Sequence, residues 1–186
     1  MVPMLKLAFE IQSIFRDFYL AGGTAVMLKY NHRTSKDLDF FRARAFSYNK
    51  IAVTLRRHFA VKKEERMSDN IDFFIGNRKI SFVYFPFKNI QRLQDHEGLK
   101  MASDYDIFLN KIYTAGRRIN PKDPFDAAFL LKRHNWPAKT VKKDFERKFP
   151  DQSYELYLGA LLNFSDYPKI EHGVKKTLTA LIQPSL

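Results

Sequence analysis

Two sets of residues in this chain have the types and spacing needed for phosphate and metal chemistry. The first is Gly22-Gly23-Thr24, followed after twelve intervening residues by Asp37-Leu38-Asp39. Two glycines at the end of an apolar run let the backbone approach a phosphate closely. The amides opening the next helix, with the Thr24 hydroxyl, then donate to phosphate oxygens. Acids at i and i+2 on a strand project from the same face. Such a pair suits Mg²⁺ (or Mn²⁺), which takes a few carboxylates together with substrate phosphates. A metal held there activates an attacking oxygen and neutralises a leaving pyrophosphate. A Gly-Gly turn or an Asp-x-Asp alone is a weak signal. In order, as strand, glycines, hydroxyl, helix and acidic strand, they share one mechanical purpose.

The second set is Lys111, Arg117, Arg118, Lys122, Asp123 and Asp126. Lys111 is a point charge suited to a triphosphate, and an exposed helix lysine is its ordinary reading. Asp123 and Asp126 stand at i and i+3 and share a helix face. Asp123 also suits the macrodipole of a helix opening at Asn120. Asp126, between Phe125 and an apolar run, fits an inward-facing partner for Lys111, Arg117 or Arg118. The pair is therefore expected to organise the site rather than to bind metal. Arg33 is expected to brace the loop before the acidic strand.

The elements that must position these groups follow from the apolar spacing. Leu5, Ala8, Ile11, Ile14 and Phe15 form a helical stripe over about residues 4–17. Residues 18–20 read as a buried strand running into Gly22-Gly23, and residues 24–29 as a short helix capped by Thr24. Residues 37–41 alternate as a strand, and Ile51, Leu55 and Phe59 mark a helix from Tyr48. Strands are expected over about 61–66, 71–75 and 79–85, the last two joined by a hairpin at Gly76-Asn77. From Ser103 onward only helices are expected. Ser103 and Asp106 form a capping box, Pro121 is the first helical position of the next helix, and Pro137 opens another. Two more helices lie around 152–163 and 169–182. The fold class is α+β: a mixed sheet with flanking helices in residues 1–100, and a helical bundle in residues 101–186 packed on it.

The chain has 186 residues, 45% of them apolar, so one core-bearing unit of ordinary size can form. There are no cysteines, which excludes disulfides and thiolate chemistry. No run approaches a membrane span, and the charged first residues do not resemble a secretory signal, so a cytoplasmic location is expected. The net charge is +12, from 32 Lys and Arg against 20 Asp and Glu, which favours a polyanionic partner. Residues 132–148 concentrate Lys132, Arg133, Lys139, Lys142, Lys143, Arg147 and Lys148 around Trp136, Phe145 and Phe149. Two readings stay open for that stretch: an RNA-facing surface, or a solvated helix whose aromatics enter the core.

The run GGTAVMLKYNHRTSKDLDFF, from Gly22 to Phe41, resembles the opening motif of the nucleotidyl transferase AbiEii/AbiGii toxin family, within the wider DNA polymerase β-like nucleotidyltransferase fold. Gly22, Gly23, Thr24, Ala25, His32, Arg33, Ser35, Asp37, Leu38, Asp39, Phe40 and Phe41 fall on the family pattern. A second match, DIFLNKIYTAGRRINPKDPFDAAFLLKRH, places Asp106, Lys111, Arg117 or Arg118, Lys122, Asp123 and Asp126 on family positions. The resemblance implies an enzyme that moves a nucleotide monophosphate from an NTP to an acceptor hydroxyl, with Asp37 and Asp39 holding the metal. Lys111 is then catalytic, and Gly22, Gly23, Thr24, Lys111, Arg117 and Arg118 bind the nucleotide, supported by Arg33, Asp123 and Asp126. It also implies a bacterial toxin with a cognate antitoxin protein as partner. An RNA or tRNA acceptor suits the charge.

One position departs from the pattern. The wider fold adds a third carboxylate from a later strand, and here Ser81 stands at that place. Asp72, on the neighbouring strand, is the available substitute. A catalytically degenerate nucleotide- or RNA-binding module is therefore the alternative. A small-molecule nucleotidyltransferase is disfavoured, since the basic charge repels a cationic acceptor.

Overall fold

The structure, a computed structural model, describes residues 2–182. The chain forms two compact units. The first comprises the residues up to Lys88 together with Leu93–Ala102, and the second Asn89–Arg92 and the residues from Ser103.

The first unit is built on a seven-stranded mixed sheet of order β3-β4-β5-β2-β1-β7-β6. Its elements are α1 (Val2–Ile14), β1 (Tyr19–Ala21), α2 (Gly22–Tyr30), β2 (Asp37–Arg42), α3 (Tyr48–His58), β3 (Val61–Arg66), β4 (Asn70–Ile75), β5 (Arg78–Tyr84), β6 (Gln94–His96) and β7 (Leu99–Met101). β2 pairs with β5 in parallel and with β1 antiparallel. β4 and β5 form the expected hairpin, with Gly76 at φ 61° in its turn.

The alternation of β2 is the clearest sequence-to-structure link. Leu38 and Phe40 are fully buried and register against Ile80 and Phe82, which are also buried. Phe82 touches Phe15, Phe18, Phe40 and Phe73 at ring-centroid distances of 4.7, 5.1, 5.7 and 6.0 Å. This aromatic core takes up five of the 18 phenylalanines, Phe15, Phe18, Phe40, Phe73 and Phe82. Burying each ring fully is worth roughly 1.5–3 kcal/mol and fixes which face of β2 and β5 turns inward.

β6 and β7 were not expected from the sequence. They are three residues each, too short for period-2 alternation to register, and they turn through Glu97 (φ 51°) and Gly98 (φ 81°). Gln12 on α1 completes β7: its side-chain oxygen accepts from Lys100 N at 2.7 Å and its amide donates to Lys100 O at 2.9 Å. A side chain thus supplies the pairing that another strand would give. The expected Thr24 cap is also corrected. α2 begins at Gly22 with Ala21 at the cap and no side-chain cap bond, while Thr24 lies inside the helix, 1% exposed.

The second unit contains α4 (Asp104–Ala115), α5 (Lys122–His134), α6 (Ala138–Lys148), α7 (Tyr154–Leu162), a 3₁₀ turn at Phe164–Asp166 and α8 (His172–Thr179). Ser103 caps α4 by accepting from Asp106 N at 2.9 Å. The reciprocal half of a capping box is replaced by something stronger. The Asp106 carboxylate accepts from Ile90 N (2.7 Å), Gln91 N (3.0 Å), Ser103 Oγ (2.7 Å) and Lys148 Nζ (2.6 Å). Both Asp106 and Lys148 side chains are 0% exposed. Burial pulls the Lys148 ammonium below its ordinary pKa, and the Asp106 charge opposes that shift. One carboxylate therefore joins the start of α4, the end of α6 and the 89–92 segment.

Removing one partner of a buried pair leaves an uncompensated charge, at a cost of about 3–5 kcal/mol. Lys148→Ala is expected to lower stability by that order in urea denaturation, and Arg147→Ala, whose side chain is 59% exposed, by less than about 1 kcal/mol. Equal losses would show that the Asp106–Lys148 pair does not hold this unit together.

Candidate active site

The first unit carries a polar sheet face opposite the aromatic core. Registered residues on adjacent strands share a face. Asp37 stands against Lys79, and Asp39 against Ser81, which in turn registers with Asp72 on β4. The face therefore bears Asp37 and Asp39 on β2, Lys79 and Ser81 on β5, and Asp72 on β4. Asp37 and Asp39 are both partly exposed. Asp72 is buried and accepts from Asn70 Nδ2 at 2.7 Å and Lys79 Nζ at 3.2 Å. Alternation alone put Asp37 and Asp39 together, but only the sheet order puts Lys79, Ser81 and Asp72 beside them.

Gly22 is needed here for a definite reason. It sits at φ 69°, and a Cβ added to it would lie 2.7 Å from Asp39 Oδ2. The glycine thus lets the start of α2 close against the Asp39 carboxylate. A helix N-terminus favours a negative charge at that place. Thr24 serves the same corner from inside. Its hydroxyl donates to the Asp37 carbonyl and is hydrogen-bonded to Ser35 Oγ at 2.6 Å, which ties the incoming loop to α2. Arg33 donates to the Thr34 carbonyl at 2.9 Å, within the same loop. Thr24 holds the acidic strand in place, a role that spacing alone did not reveal.

Asp37 and Asp39 are the residues that could hold a divalent ion. Two carboxylates on one strand face are what Mg²⁺ uses when substrate phosphates and water supply the rest. Among the described residues, no group of three or more His, Cys, Asp or Glu side chains is arranged to hold a metal. Ser81 Oγ is buried and has no hydrogen-bond partner.

The other expected residues lie in the second unit and form their own cluster. Lys111 Nζ is 2.7 Å from Asp123 Oδ1 and 2.8 Å from Asp126 Oδ2, and all three side chains are buried. Arg118 reaches Asp123 Oδ2 at 3.2 Å, and Arg117 donates to Tyr113 Oη at 2.9 Å. Asp126 is thus the inward-facing partner of Lys111 that its sequence setting indicated.

The basic stretch resolves unevenly. Phe145 and Phe149 are core residues, and Trp136 stacks on His134 at 4.6 Å. Lys148 is buried with Asp106, while Lys142 pairs with Glu155 and Arg147 with Asp144. Lys132, Arg133, Lys139 and Lys143 are exposed. Among the described residues, no helix is long and apolar enough to cross a membrane.

Gly22→Ala forces a left-handed residue and a carboxylate clash together. It is expected to cost about 1–3 kcal/mol in urea denaturation and to weaken Mn²⁺ binding. Gly76→Ala shares the positive φ but has nothing within 4 Å of the added Cβ. It is expected to lose stability alone. If both variants bind Mn²⁺ equally well, Gly22 does not position Asp39.

Comparison with known proteins identifies the family and the fold. The family model described as nucleotidyl transferase AbiEii toxin, type IV toxin–antitoxin system, matches residues 7–177. An uncharacterized protein of Aquifex aeolicus (strain VF5), aq_aa25, is 29% identical over 157 residues, covering 82% of this chain and 76% of its own. Two solved structures from Helicobacter pylori share the fold. One is a candidate nucleotidyltransferase, with a TM-score of 0.51, 19% identity and coverage of 94% of this chain and 91% of that one. The other is JHP933, with a TM-score of 0.50, 18% identity and coverage of 94% and 88%. With the glycine turn, the acidic strand and the family match coinciding, this chain belongs to the AbiEii nucleotidyl transferase toxin family of type IV toxin–antitoxin systems.

Proposed function

We propose that the protein transfers a nucleotide monophosphate from an NTP to an acceptor hydroxyl, with RNA or tRNA as the acceptor and a cognate antitoxin as its partner. The observation that carries this is the Asp37–Asp39 pair on one strand face, closed by Gly22 at the start of α2. Asp37 and Asp39 hold Mg²⁺ or Mn²⁺, whose contribution when bound is to polarise the phosphate under attack and to neutralise the leaving pyrophosphate. The glycine turn brings backbone N–H groups to the phosphates. In the second unit, Lys111, Arg117 and Arg118 are proposed as phosphate-binding charges, with Asp123 and Asp126 fixing the Lys111 ammonium. The net charge of +12 and the exposed Lys132, Arg133, Lys139 and Lys143 support a polyanionic acceptor.

A second reading has its own observation. The unpartnered, buried Ser81 hydroxyl stands where the resemblance places a third acid. On that reading the fold binds nucleotide or RNA without turnover.

Purified protein incubated with each α-labelled NTP, Mg²⁺ and total RNA is expected to label RNA, and Asp37→Ala and Asp39→Ala to label none. Absence of transfer with every NTP, alongside retained NTP binding, would establish the second reading. Transfer by Asp39→Ala at the wild-type rate would remove the metal role. Lys111→Ala removes the buried cation shared by Asp123 and Asp126, so it is expected to lose about 3–5 kcal/mol of stability as well as activity. Unchanged stability would show that Lys111 does not anchor α5.

A further inference from the structure

The polar sheet face carries a cation that the proposed mechanism does not use. Lys79 stands on β5 beside Asp37, and its ammonium is bonded to the buried Asp72 at 3.2 Å. Its side chain is 34% exposed, so it is neither a core pair nor a free surface lysine. Asp72 spends its other oxygen on Asn70 Nδ2 at 2.7 Å, which fixes the carboxylate that fixes the lysine. An ammonium has three donors, and the Asp72 bond uses one of them. Burial alone would lower the Lys79 pKa, but Asp39, Asp72 and Asp37 together hold it above its ordinary value.

Three facts about this face belong together. Ser81 stands between Asp39 and Asp72 with a buried, unpartnered hydroxyl. No third acid joins Asp37 and Asp39 in a metal-binding group among the described residues. A fixed cation, Lys79, stands two positions before Ser81 on the same face of β5. Where a third acid would bring another divalent ion, this chain supplies a positive side chain.

We propose that Lys79 is the resident cation of the nucleotide site: anchored by Asp72 beside Asp37 and Asp39, its ammonium binds the triphosphate of the substrate and leaves the site with a single divalent ion. Lys79 then carries the charge that a second metal would have carried, and Asp72 is its positioning residue rather than a metal ligand. This rests on the nucleotidyl-transfer reading, and it adds a phosphate-binding role to a strand residue that the family motifs of this chain do not include.

The test is binding rather than turnover. Mn²⁺ bound to the full chain is counted by electron paramagnetic resonance, with and without a non-hydrolysable NTP analogue, and analogue affinity is measured by calorimetry. Wild type is expected to bind one Mn²⁺ per chain in the ternary complex. A hydrogen bond to a charged group, on the order of 1.5–3 kcal/mol, converts to a loss of roughly ten- to hundredfold in analogue affinity for Lys79→Ala. Lys79→Arg, which keeps the charge, should restore most of it, and this also separates a binding defect from a folding one. Asp72→Asn is expected to weaken the analogue while leaving the Mn²⁺ count at one. Two Mn²⁺ per wild-type chain, or unchanged affinity in folded Lys79→Ala, would overturn the role of Lys79. If Asp39→Ala instead binds Mn²⁺ as wild type does, the metal assignment underlying the nucleotidyl-transfer reading is what fails.

Discussion

The parallel pairing of β2 with β5 is the constraint on which the first unit depends. Its register sets Leu38 and Phe40 against Ile80 and Phe82 on one face, and Asp37 and Asp39 against Lys79 and Ser81 on the other. The two faces cannot be chosen separately. A slip of one residue in β2 would carry Asp37 and Asp39 into a phenylalanine core and turn Leu38 and Phe40 outward. The apolar contacts of Phe82 therefore fix the chemistry as firmly as they fix the fold. They hold Asp37, Asp39, Lys79 and Ser81 together on the opposite face.

That polar face repels itself, and the chain manages the repulsion in three ways. The start of α2 lies against Asp39, closed up by a glycine that has no Cβ to obstruct it. Lys79 stands between the β2 acids and Asp72. Ser81 places a neutral hydroxyl between Asp39 and Asp72. The result is an acidic face already partly neutralised by the chain's own groups.

The second unit solves a different problem with the same material. Asp106–Lys148 and Lys111–Asp123–Asp126 are buried ion clusters, not surface decoration. Each is supported by further donors, which is the condition under which buried charge is tolerated. Both clusters join separate segments: α4 to α6 and residues 89–92 in one case, α4 to α5 in the other. They cost desolvation and return a defined geometry. The same demand thins the basic surface, because Lys148 is spent inside the unit and Lys142 and Arg147 on neighbouring acids.

The sequence by itself determined the alternating acidic strand, the glycine turn, the hairpin at Gly76 and the change to helices after Ser103. Each is a local pattern, written in residues a few positions apart, and each survives in the structure with its ends moved by only a few residues. It also indicated the inward-facing Asp126, because an acid leading an apolar run must find a partner. Only the tertiary structure decided that β5 lies beside β2, so that Lys79 and Ser81 flank residues some forty positions earlier in the chain. It likewise decided that Thr24 braces the loop instead of capping α2, that Lys148 is buried, and that Gln12 pairs with β7. These are matters of strand order and side-chain partnership between distant segments. No periodicity encodes them, because they follow from which apolar faces find one another when the chain collapses.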